Sequence, residues 1–230
     1  VAELLLDIGN SRTKAVLHQD GRFTLLPDHF ATSIQQYDIS AVFCASVARD
    51  ERIAAVREET GLQHVAWRIV HSEATKSGLR SQYTEPHLLG VDRWLAMLGA
   101  IKLWPAQSLM VVDAGTALTL DWVDESGQHL GGWIIPGFRL QQQAVIGQTA
   151  KVFNNSMQHA QVALGTDTSS CLQNGCLSAA VAVILQGFSL QTATKVVLTG
   201  GDANLLMPHL TQLDPQVEPL LIFRGLSLYI

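Results

Sequence analysis

The sequence predicts an α/β protein built from two similarly constructed halves. Three observations carry this. Buried apolar strands alternate with helix-spaced stretches along the chain. The pattern of apolar strand, Asp-x-Gly, hydroxyl residue and second strand occurs in "LLLDIGNSRTKAVLH" (Leu4–His18) and returns in "LMVVDAGTALTLDWV" (Leu109–Val123). No low-complexity linker separates the copies, so the halves are expected to pack closely. The boundary is expected near Pro105–Ser108, giving domains of residues 1–106 and 107–230.

Leu4–Ile8 is apolar on both faces and reads as a buried strand, with Thr13–His18 as its hairpin partner. Gly21 turns the chain into "RFTLL", and Ala41–Ser46 is another buried strand. "RDERIAAVREETG" reads as an amphipathic helix with Ile53, Ala54 and Val56 near one face and Gly61 as C-cap glycine. His64–Val70 is a strand, and Gly90–Pro105 a loop entering a helix that stops at proline. In the second half, Gly131–Gly137 is a glycine-flanked strand, Phe138–Ala150 a helix and Asn154–Asp167 a polar loop. Cys171–Leu190 is a long, mostly buried helix. Lys195–Leu206 reads as strand, Gly-Gly turn and helix start, with Asp202 as N-cap, and "PLLIFRGLSLYI" as a closing apolar helix.

Of the 230 residues, 15% are charged, against ~25% in typical soluble domains, which points to surface buried in an oligomer. A net charge of −5 argues against nucleic acid or an anionic membrane as main partner. Three cysteines imply no disulfide framework, and Cys171 and Cys176 lack the matching pair a zinc site needs. The longest apolar run, Cys176–Leu185, is too short to span a bilayer, so a cytoplasmic protein is expected.

The first turn is where chemistry is expected. Gly9 permits close backbone approach, and the N–H groups of Gly9, Asn10, Ser11 and Arg12 can form an anion nest that Lys14 reaches. Asp7 at the strand end can hold a cation or a metal-bound water. Alone, this turn fits a plain hairpin better than an anion nest; the second copy shifts that balance. Its second copy offers Asp113, Gly115 and Thr116, and "LTGGD" supplies a Gly-Gly turn on which adenine and ribose can lie. In "LLGVDRW", Asp92 stands at a helix start where it can accept a proton from a hydroxyl, and Arg93 can bind a carboxylate with two hydrogen bonds.

The three loops resemble the actin-like ATPase superfamily, which implies two RNase H-like domains with ATP in the cleft between them. More specifically, "DIGNSRTK", "LGVDRW", "VVDAGTALTLD" and "GGWIIPG", in this order, resemble type III pantothenate kinase from Leu4 to Leu228. The resemblance implies ATP-dependent phosphorylation of pantothenate, the first step of coenzyme A biosynthesis. It assigns Asp7, Ile8, Gly9, Asn10, Ser11, Arg12, Thr13 and Lys14 to the phosphate loop, and Thr116 to an ATP contact. Gly90, Val91, Asp92 and Arg93 match the pantothenate motif, Asp92 as proton acceptor and Arg93 on the substrate carboxylate. Tyr83 matches a pocket tyrosine, and Asp113 the ligand of a monovalent cation, potassium or ammonium, alongside Mg²⁺. Thr168, with Thr166 two residues before it, matches a threonine that reaches the substrate from a neighbouring subunit. A homodimer with shared sites follows. Ser11 replaces a common threonine and keeps the hydroxyl. Two other readings compete: a Bvg accessory factor-like regulator that binds ligand without being primarily a metabolic kinase, and a different small kinase of the superfamily.

Overall fold

The computed structural model describes residues 1–9, 12–148 and 160–230. Asn10 and Ser11 lie outside the described residues, as do the expected helix end at 149–150 and the start of the polar loop at 154–159.

The first unit is organised around β1 (Ala2–Ile8), whose apolar residues are buried on both faces, as a central strand requires. β2 (Thr13–Gln19) pairs antiparallel with β1, and β3 (Arg22–Leu25) antiparallel with β2. α1 (Phe30–Ser33) precedes β4 (Ile39–Ser46), which is parallel to β1. α2 (Asp50–Thr60) precedes β5 (Ala66–Val70), parallel to β4. The strand order is β3-β2-β1-β4-β5. Leu4, Leu6 and Ile8 point toward Phe30, Ile34 and Val56 of the helical layer on one face. Within α2 the buried positions are Val56 and Thr60, with Ile53 partly covered; Ala54, expected on the inner face, is exposed. Gly61 ends α2 at φ 68°, as a C-cap glycine does. A short hairpin of β6 (Thr75–Lys76) and β7 (Leu79–Arg80) leads to α3 (Val91–Leu103).

The second unit repeats this topology. β8 (Leu109–Ala114) is its central strand, with β9 (Ala117–Val123) antiparallel to it and β10 (His129–Pro136) antiparallel to β9. α4 (Phe138–Gln148) and α5 (Thr168–Leu190) follow. β11 (Lys195–Thr199) returns parallel to β8, and after α6 (Ala203–Leu206), β12 (Gln216–Val217) pairs parallel with β11. The order β10-β9-β8-β11-β12 reproduces the first sheet strand for strand, so the duplication read from the two Asp-x-Gly turns extends to both folds. Both units thus have the strand order of the expected RNase H-like fold.

α5 begins at Thr168, three residues earlier than expected. Asp167 forms a capping box with Ser170, its carboxylate accepting from the Ser170 N–H at 2.9 Å. At 23 residues, and without a charged side chain, α5 is long and apolar enough to cross a membrane by length and composition. Half of its most apolar window is buried in the unit, where Leu177, Ala180, Val181 and Ile184 pack on Leu118, Leu120 and Trp122, so it serves as a core helix.

The last segment departs from the expected division. α7 (Leu221–Leu226) and the 3-10 turn Ser227–Tyr229 belong to the first unit, which comprises Val1–Trp104 and Leu220–Ile230; the second is Pro105–Pro219. The reason is the crossing of α7 on α3. A Cβ on Gly225 would lie 2.0 Å from the Leu95 carbonyl oxygen, and one on Gly99 2.1 Å from that of Leu221. Two facing glycines let these backbones touch, and α3 is buried almost all round as a result.

Candidate active site

The register of the first hairpin builds one side of the site. Asp7 pairs directly with Lys14, so both side chains leave the same face of the sheet, opposite to that of Leu6 and Ile8. Burial raises the Asp7 carboxyl; Lys14 opposes the rise and the negative charge of Asp92 adds to it, and its pKa lies at about 6. Burial and the charge of Asp7 also push the Cys44 thiol up to about 12, so it is an inert core group.

One donor of the expected nest is already taken. The Gly9 N–H is spent on the Arg12 carbonyl at 3.0 Å, and a Cβ at Gly9 would stand 3.2 Å from that oxygen. Gly9 therefore closes the hairpin and does not offer its N–H to a ligand, which corrects its place in the expected nest. Arg12 donates from Nε (3.1 Å) and Nη2 (2.5 Å) to Asp28. Thr13 is buried on the other face and accepts from Arg52 Nη2 at 3.3 Å. Ile8 is core.

The first turn of α3 builds the acceptor side. Gly90 is the N-cap, and a Cβ there would come within 2.6 Å of Asp92 Oδ1, so a side chain at 90 would displace the carboxylate. Asp92 Oδ1 accepts from the Arg93 N–H at 2.8 Å, which fixes the carboxylate over the helix N-terminus. Val91 is buried and anchors the turn. Arg93 is only 5% exposed; its Nη1 donates to the Tyr83 hydroxyl at 3.1 Å, with the guanidinium 6.0 Å from the Tyr83 ring centre. Tyr83, Asp92 and Arg93 are thus one cluster, and Asp92 is electrostatically coupled to Asp7.

In the second unit Asp113 is the penultimate residue of β8, and Gly200 sits against it at φ +90°; a Cβ on Gly200 would lie 2.4 Å from Asp113 Oδ1 and from the Ala114 carbonyl. The Gly137 N–H donates to the Thr116 carbonyl at 2.9 Å. Gly115, Gly137, Phe138 and Asp202 line a small pocket beside them. Thr116 is exposed at the turn, and Thr168 is exposed at the start of α5. Asp202 stands at the N-cap of α6 but makes no side-chain cap: α6 has only four residues, and the carboxylate faces Arg139 Nε at 3.6 Å. Burial raises the Asp202 pKa against the pull of Arg139. Gly200 belongs to the Gly-Gly turn expected under adenine and ribose, and here it also packs against Asp113; Gly137, the end of the glycine-flanked strand, has no role assigned by the sequence, and "IPG" is its signal.

The sequence model of the type III pantothenate kinase family matches residues 3–189. The chain belongs to the type III pantothenate kinase family. Among its relatives, the type III pantothenate kinase of Colwellia psychrerythraea is 34% identical, with 98% of this chain and 99% of that one covered. That of Dichelobacter nodosus is 35% identical, covering 97% and 95%. Among solved structures, a protein from Campylobacter jejuni described as a Baf family transcriptional activator superposes with a TM-score of 0.60 at 24% identity, over 97% of this chain and 95% of that one. That likeness shows the fold alone. Membership gives the Asp92–Arg93–Tyr83 cluster its context: type III pantothenate kinases are phosphotransferases.

Proposed function

We propose that this chain phosphorylates the primary hydroxyl of pantothenate with ATP, forming 4'-phosphopantothenate. The observation that carries the reading is the joining of a fixed carboxylate to a buried arginine on one helix turn. Asp92 orients the acceptor hydroxyl with the oxygen that Arg93 N–H does not hold, and takes its proton as the bond to phosphorus forms. Arg93 binds the substrate carboxylate, with Tyr83 bracing the guanidinium. The phosphoryl-transfer transition state is loose, so positioning and charge neutralisation supply most of the acceleration. Lys14 carries positive charge toward the phosphates.

Mg²⁺ and a monovalent cation, potassium or ammonium, fit the donors present. Both take oxygen ligands, and Asp7 and Asp113 are partly buried carboxylates at strand ends. Asp7 would hold Mg²⁺ through water and Asp113 the monovalent ion; when bound, these cations neutralise phosphate charge. Thr116 contacts ATP. The setting is cytoplasmic, with neither nucleic acid nor membrane as partner.

A homodimer is part of the proposal, with Thr168 reaching the partner's acceptor site. The exposed face of α5 carries Cys171, Gly175, Ala179 and Ala182, and Leu164 is 96% and Ile134 62% exposed; uncovered apolar surface of this kind favours association. Sedimentation at working concentration is expected to show a dimer of the 25.0 kDa chain. A monomer alone would remove the shared part of the site.

The activity test is ATP consumption at fixed Mg²⁺ with pantothenate, with and without potassium. Turnover requiring both is expected. A folded protein that binds ATP yet consumes none with pantothenate would overturn the assignment.

A further inference from the structure

One hydroxyl outside the cluster joins its supports. Tyr229 lies in the 3-10 turn after α7, far in sequence from the acceptor side. Its oxygen accepts from Trp94 Nε1 at 3.0 Å and donates to Glu73 Oε1 at 2.7 Å. Trp94 is fully buried and directly follows Arg93. Glu73 starts the segment that carries Tyr83, and Lys76 of that segment lies 4.2 Å from the centre of the Tyr229 ring. The far end of the segment is tied too: the buried Ser72 hydroxyl donates to the Leu89 carbonyl at 2.7 Å, immediately before Gly90. Residues 72–89 therefore form a closed loop. Its base is bonded to itself through Ser72 and to α3 through Tyr229, and its Tyr83 meets Arg93.

We infer that Tyr229 is a positioning residue for the acceptor site, holding the Tyr83 loop and the first turn of α3 in register through its single hydroxyl. The inference rests on the proposed kinase reading. Tyr229 touches neither acceptor nor nucleotide; it acts on the spacing between Tyr83 and Arg93. A buried indole N–H needs an acceptor, and Tyr229 is the one used. Removing the hydroxyl frees the loop on one side and leaves the Trp94 N–H to find another partner by shifting α3.

Tyr229→Phe deletes one atom and keeps the ring under Lys76. The KM for pantothenate is expected to rise roughly tenfold, because small misplacements of positioning groups carry costs of this order. The KM for ATP should stay within about twofold of the parent, and kcat, which depends on Asp92 in the same turn of α3, should fall by less than the pantothenate KM rises. Glu73→Ala should reproduce the effect, and Glu73→Gln, which still accepts from Tyr229, should restore a KM near that of the parent. A purely structural role would lower the melting temperature without this split. Hydrogen exchange of residues 72–89 reads the tie without substrate and is expected to quicken in Tyr229→Phe. Unchanged exchange, or an unchanged pantothenate KM in an active protein, overturns the inference. A parent protein inactive on pantothenate whose loop still loosens in Tyr229→Phe would overturn the kinase reading and leave the tie standing.

Discussion

An Asp92→Asn variant is expected to lose about 10²–10⁴ in kcat with its fold intact, the usual range for removal of a general base. The amide keeps the shape of the carboxylate and can still accept from the Arg93 N–H through Oδ1. What it loses is the capacity to take a proton. Arg93 and Tyr83 are untouched, so the KM for pantothenate should change little, and the loss should fall on kcat and kcat/KM together, as expected for an interaction made in the transition state. A second readout is independent of rate. Asp92 is one of the charges that raise Asp7, after burial; neutralising it should move the acid limb of the residual activity to lower pH. Near-parental kcat in a folded Asp92→Asn protein would remove Asp92 from the chemistry.

The parts of the molecule that were legible in the sequence are those set by local pattern. β1 and β8 are continuous apolar runs ended by Asp-x-Gly, and the hairpin that follows each is dictated by turn residues and register. α3 could be placed because Gly90 opens it and Pro105 follows it. Contacts between distant segments were not legible. "LLIFRGLSLYI" looks like any apolar helix; only the opposed glycines at 99 and 225, which no local pattern pairs, bring it to the first unit. The same holds for the site. Gly90 and Asp92 sit in one short motif and were found together, while Tyr229, Trp94 and Glu73 meet only through the fold. The Gly9 N–H was misread for a related reason. Glycine signals a special backbone conformation without saying whether its N–H faces a ligand or the opposite strand, and here the hairpin takes it.

Asp7→Asn should act in opposite directions on stability and activity. The folded protein holds the Asp7 carboxyl at about pKa 6 against an ordinary 3.8, chiefly through burial. The sign follows: the raised pKa means that folding favours the protonated acid, so its stabilising contribution is complete below the unfolded value and is lost as pH rises through about 6. Above that pH the ionised group costs the ligand-free fold roughly 2–3 kcal/mol. Asparagine carries no such charge, and the attraction to Lys14 that it gives up is already included in that net cost, so a gain of about 2–3 kcal/mol is expected at pH 8. Melting temperatures measured from pH 4 to pH 8 should show the variant ahead at the alkaline end and level with the parent at the acid end. Activity runs the other way. The ionised carboxylate is the form that can hold a hard cation beside the phosphates, so the parent kcat/KM for ATP should fall on acidification with an apparent pKa near 6, and Asp7→Asn should be nearly inactive at every pH. Bound Mg²⁺ and ATP should draw the limb seen in kcat to lower pH, because they favour the charged form. If the two proteins melt alike across the whole range, Asp7 does not carry the burial cost assigned to it. If the variant keeps parental turnover, the strand-end carboxylate serves the hairpin alone.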